Sequence, residues 1–160
     1  MLAEDPQWVT EETYDVNCYA YALNEKFAGS AKPGLLRLQD NYRTLKQESM
    51  TATAIERRLR HDGLERILEH SVSAEGKHII AAFTSSTRQD FHFLRLNRDN
   101  IWTHKFRSGL RLRDNQDKII TDPKAAALGI YDVFVGYFQI PDQGISFVPR
   151  KIFAGGIRLF

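Results

Sequence analysis

Apolar positions along this chain follow two rhythms, and the change between them divides it in half. In the first half the spacing is helical. Asn17 caps a helix predicted from Cys18 to Phe27, which ends near Gly29, with Lys32-Pro33-Gly34 stopping any continuation. Thr51 to Arg60 reads as a second helix with Ile55 and Leu59 on one face; Asp62-Gly63 interrupts it, and Leu64, Ile67 and Leu68 predict a short continuation. After that the rhythm becomes that of strands: His78–Phe83, Phe91–Leu96 and Ile101–Phe106, with a polar turn at Asn97–Asn100. Asp122-Pro123 opens a helical turn through Ala127. Tyr131–Ile140 is the strongest later strand, closed by Pro141, and Ile145–Val148 and Ile157–Phe160 are weaker ones.

Helices followed by strands joined through short connections predict an α+β fold with a mainly antiparallel sheet. The length of 160 residues suits a single domain over 1–160, and the chain has neither repeats nor low-complexity tracts. With the hairpin turn centred near residue 98, His92 falls opposite His104, and Leu94 and Trp102 share their face. Phe91, Phe93, Ile101 and Thr103 then point to the other side.

Composition narrows the chemistry. A single cysteine excludes an intramolecular disulfide and a thiolate-rich zinc site. His92 and His104 have no evident third partner, so neither a metal nor another cofactor is expected. No apolar run reaches membrane-span length, and the polar, acidic start MLAEDPQWVTEE does not read as a signal peptide. The expectation is a soluble protein, cytoplasmic or delivered by a specialised route. The net charge of +2 is too small to imply a polyanion partner, yet residues 56–61 and 104–114 are locally basic. The first stretch reads as a solvated face. The second places Arg107, Arg111 and Arg113 where an acidic partner or substrate would meet them, and Gly109 in a loop able to move over a cleft.

The residues of interest converge on Cys18. A thiol is a weak nucleophile until it loses its proton, and a helix N-terminus and a neighbouring imidazole both favour that loss. Cys18 is therefore the candidate nucleophile, His92 the candidate base, and His104 the residue that accepts a hydrogen bond from the His92 ring and fixes its tautomer. Asp90 competes for that orienting role, while Asp99 and Asn100 serve the turn. An oxyanion hole would use the Cys18 backbone N–H with a second donor from Asn17, Tyr14 or Gln7. Tyr19 and Tyr21 either line the cleft or pack on the sheet. The competing reading makes Cys18 a buried small hydrophobe and His92 a core residue.

The order of a helix-borne cysteine, a histidine at a strand start and a polar residue on the next strand resembles the papain-like superfamily, its NlpC/P60-like branch above all. The segments NCYAYAL, DFHFLRLNRDNIWTHK and DVFVGYF look like blocks of bacterial proteins with that core, over roughly Tyr14 to Ile140. The resemblance implies a papain-like α+β domain with Cys18, His92 and His104 as its catalytic residues. It implies cleavage of an amide bond in a peptide or a peptidoglycan stem, or, as an alternative, deamidation or transamidation of a protein glutamine. Outside enzymes, the remaining alternative is a binding module that uses the basic surface.

Overall fold

The computed structural model describes residues 16–25, 30–36, 50–106 and 109–146. Among the described residues, six strands form one sheet: β1 Glu65–Ile67, β2 His78–Thr84, β3 Phe91–Leu96, β4 Trp102–Phe106, β5 Gly109–Arg111 and β6 Val133–Ile140. Their spatial order is β1-β6-β2-β3-β4-β5, and every neighbouring pair is antiparallel. Helix α1 (Cys18–Ala22) lies on β3 and β4, and helix α2 (Ala52–His61) lies on β6 and β2. The fold is α+β, with the cysteine-bearing helix on an antiparallel sheet.

The inner strands β2 and β3 are buried on both sides, which explains why β2 is a nearly unbroken apolar run. Its alternate residues enter two cores. Ile80 and Ala82 join Tyr19, Ile55, Leu59, Phe93 and Phe138 beneath the helices. Ile79, Ala81 and Phe83 join Leu94, Trp102, Ile120, Leu128 and Tyr137 on the opposite face, under the segment that follows β5. Among the described residues no helix is long and apolar enough to cross a membrane.

Several elements depart from the sequence expectation. Helix α1 stops at Ala22, because Leu23 closes it as C-cap and Asn24 turns left-handed with φ 59°; Phe27 and Gly29 lie outside the described residues. The α2 helix begins one residue later than expected, with the Thr51 side chain capping Ala54 N, and ends before Asp62. No helical continuation follows: Glu65–Ile67 pairs with β6, and Leu68 stays largely exposed. Gly109 belongs to β5, where it pairs with Phe106, rather than to a loop over a cleft. The turn segment after Asp122 is a single 3₁₀ turn, Pro123–Ala125. Ile145 is outside any strand, and the expected strand at 157–160 lies outside the described residues.

The hairpin register differs by two residues. Leu94, not His92, stands opposite His104, with Arg95 opposite Thr103 and Leu96 opposite Trp102. The cause is the turn. Asn100 N–H donates to Asn97 O, Asn97 N–H donates to Ile101 O, and Asn100 takes φ 57°. This is a three-residue loop closed by a left-handed residue, and it centres the hairpin on Asp99. A shift of two preserves every facing relation, where a shift of one would have reversed them.

Candidate active site

Asn17 starts α1. Its Oδ1 accepts from Ala20 N–H at 3.1 Å and its Nδ2 donates to Ala31 O at 2.6 Å. It is therefore engaged as a cap and a loop tie. Tyr14 and Gln7, the other candidate oxyanion donors, lie outside the described residues. Lys105 of β4 donates to Val16 O at 2.7 Å, and Cys18 Sγ approaches the Phe91 carbonyl of β3 at 4.0 Å.

The start of α1 thus sits where β3 and β4 part. Their ladder ends at the Leu94–His104 pair, although the strands run on to Phe91 and Phe106. The thiol lies against main chain that would otherwise continue the ladder. Cys18 is 8% exposed. Burial pushes its thiol up to about 12, with Asp90 adding to the rise, while the Phe93 and Tyr19 backbone N–H groups oppose it. The resting thiol is protonated.

His92 leaves β3 on the opposite face. Its ring is stacked between Phe106, with centroids 4.7 Å apart at 14°, and Tyr131, 4.8 Å apart at 24°. Its Nε2 is 2.8 Å from His104 Nδ1, and His104 Nε2 is 2.9 Å from the Arg113 carbonyl. The structure therefore brings His92 and His104 together as diagonal neighbours. It leaves Cys18 without a hydrogen bond to His92.

The hydrogen-bond chain fixes the protons. Both imidazoles are held below their ordinary range, chiefly by burial; His104 and Arg111 add to the effect on His92, and Arg111 on His104. Both rings are neutral. A carbonyl only accepts, so His104 Nε2 carries its proton and His104 Nδ1 is bare. His92 Nε2 must then donate to it, which leaves the lone pair of His92 on Nδ1. That atom has no hydrogen-bond partner among the described residues.

Asp90 does not reach His92. Its carboxylate accepts from the Tyr131 hydroxyl at 2.9 Å and from Phe91 N–H at 2.8 Å. It thus anchors the ring that covers His92. Tyr21 and Thr103 bond through their hydroxyls at 2.6 Å, and Tyr19 donates to Asp62 at 2.7 Å, so both tyrosines are core residues. Tyr131 and Phe106 were not anticipated as site residues. The alternation of Trp102, His104 and Phe106 places the latter correctly, whereas nothing local marks Tyr131, which lies in the loop before β6.

The basic stretch is part core and part surface, with Arg111 and Arg113 exposed. His104 and Lys105 are buried, Arg111 lies over the Phe106 ring, Arg113 pairs with Asp117, and Arg107 lies outside the described residues. Among the described residues no three His, Cys, Asp or Glu side chains converge as ligands for a metal.

No family profile and no solved structure matches the chain. Over 125 residues it is 31% identical to insoluble matrix shell protein 1 of Ruditapes philippinarum, a match covering 78% of each chain.

Proposed function

The chain belongs to the family of insoluble matrix shell protein 1, and from that premise and the geometry above we propose that it is a cysteine-dependent hydrolase of an amide bond, built on a papain-like core. The observation that carries this reading is the bare Nδ1 of His92, held in one tautomer by His104 beside the strand that seats Cys18. A buried histidine whose far nitrogen is anchored and whose near nitrogen is unoccupied is prepared to accept a proton.

In the proposed reaction the start of α1 and the start of β3 move so that Cys18, now against the Phe91 carbonyl, passes the strand and gives its proton to His92 Nδ1. The sulfur attacks the amide carbon, and the carbonyl electrons move to oxygen, where the Cys18 backbone N–H stabilises them. The C–N bond breaks as His92 returns the proton to the amine, leaving a thioester. Water, deprotonated by His92, then releases the acid and restores the thiol. The substrate is a peptide, a peptidoglycan stem or the side-chain amide of a protein glutamine. His104 remains neutral throughout as the orienting residue.

The test is turnover on panels of peptides, muropeptides and glutamine-bearing proteins, comparing the parent with Cys18→Ser and His92→Ala. Activity in the parent that both substitutions abolish supports the reading. Activity that survives both overturns it.

A second reading has its own support. Cys18 is buried and protonated, and the relative is named as an insoluble matrix protein. On that reading the domain is a non-catalytic matrix or binding component, with Cys18 as a packing residue. It predicts a thiol that resists alkylation until the protein unfolds.

A further inference from the structure

We propose that the cleft at the far end of α1 from Cys18 is a binding site for an oxyanion ligand, one carrying a carboxylate or phosphate group. The cleft has a volume of about 520 Å³ and lies where the end of α1, the start of β2 and the β3–β4 hairpin meet. Three cationic side chains, Lys77, Arg95 and Arg98, line it together with His78, Asn24 and Asn97. Among the described residues no aspartate or glutamate lines it. Glu75 and Asp99 adjoin lining residues along the chain, and Glu25 and Asp142 line an adjoining cleft of about 350 Å³ that shares Asn24, Gly76 and His78 with it.

The cations differ in what the fold asks of them. Arg95 is buried, lies 4.2 Å from the centre of the Tyr21 ring, and donates to Asn24 Oδ1 at 3.1 Å. It is a fixed charge at the floor. Lys77 and Arg98 are exposed and make no ion pair among the described residues. His78 is tied to the Ala22 carbonyl at 2.5 Å. Burial and the charge of Arg95 hold its imidazole below the ordinary range. Three like charges around a concavity raise the potential inside it above that of an open surface. Two mobile cations beside a fixed guanidinium suit an oxyanion, which accepts from several N–H donors at once. The Asn97 amide is engaged within the hairpin, where its Nδ2 donates to Arg95 O, Ile101 O and Thr103 Oγ1, so the donor set for a ligand is the cations.

The site does not depend on the thiol, and its test is separate. The full chain is titrated with inorganic phosphate and, separately, with citrate, following the His78 ring and the Lys77 and Arg98 backbone signals by NMR. The expected result is saturable shifts confined to this cleft. Lys77→Glu combined with Arg98→Glu should weaken the affinity by roughly tenfold or more, while Lys118→Glu, an exposed lysine outside the cleft, leaves it unchanged. Both substituted residues are exposed, so the double variant should melt as the parent does, and its thermal transition is recorded alongside. A response to phosphate alone assigns a phosphate site, to citrate alone a carboxylate site, and to both a general oxyanion site. Shifts that fail to saturate, or that persist unchanged in the double variant, overturn the proposal.

Discussion

The two faces of β3 are built from the same six residues and do opposite things. Towards α1, Phe91 and Phe93 enter an apolar core with Tyr19, and the Tyr19 and Phe93 rings lie 4.6 Å apart. Cys18 is set into that face, neutral and covered. Away from α1, His92 lies between two aromatic rings but has a polar chain behind it, through His104 to the Arg113 carbonyl. One face is held by burial and the other by directed hydrogen bonds. A cysteine on α1 and a histidine on β3 thus meet opposite faces of one strand and are separated by it.

The largest expected effect comes from the apolar face. Phe93→Ala should cost about 3–5 kcal/mol of stability, measured by urea unfolding, because it empties the space against Tyr19. A loss below about 1 kcal/mol would show that this face is not the principal core. On the other face, His104→Ala leaves the His92 Nε2–H and the Arg113 carbonyl without their partner. The cost should be about 1–3 kcal/mol. The sharper readout is nitrogen NMR of His92, which should lose its single tautomer.

The histidine face also gives the protein a pH signature. The His92 and His104 values are lowered in the folded state, whereas free imidazoles titrate near 6.5. As pH falls the unfolded chain binds protons first. Their contribution to stability is complete above the unfolded value and is lost as pH drops through about 6.5 towards the folded values, by at most about 1.4 kcal/mol per pH unit for each ring. Melting temperatures between neutral and mildly acidic pH should fall, and fall less steeply in His92→Phe. An unchanged slope would place the sensitivity elsewhere. The smallest effect belongs to Tyr131→Phe, which removes only the hydrogen bond to Asp90. It should cost about 0.5–1.5 kcal/mol by the same unfolding assay and leave the His92 tautomer in place.

Much of this contrast was legible in the residues. The alternation Phe91-His92-Phe93-Leu94 separates the faces, and Trp102-His104 puts the second imidazole on the side of the first. The facing relation survived an incorrect register because the discrepancy was even. The turn chemistry behind it, a left-handed Asn100, is a backbone property that a polar tetrapeptide does not reveal. Residues 65–67 pair as a strand because β6 offers an edge, a tertiary cause that local spacing does not contain. The burial of Lys105 was equally hidden: its ammonium is satisfied by Val16 O and Phe106 O, and sequence alone reads such a residue as surface. The partners of Cys18 lie more than seventy residues away.

The central claim is that Cys18 and His92 act as a pair, and alkylation of Cys18 against pH tests it most directly. A small haloacetamide is reacted with the folded parent and with His92→Ala, and adducts are measured by intact mass. If the two act as a pair, the parent reacts with an inflection well below the resting value of about 12, and this inflection vanishes in His92→Ala. A thiol that stays inert in both until denaturant is added would contradict the pair and leave Cys18 as a core residue.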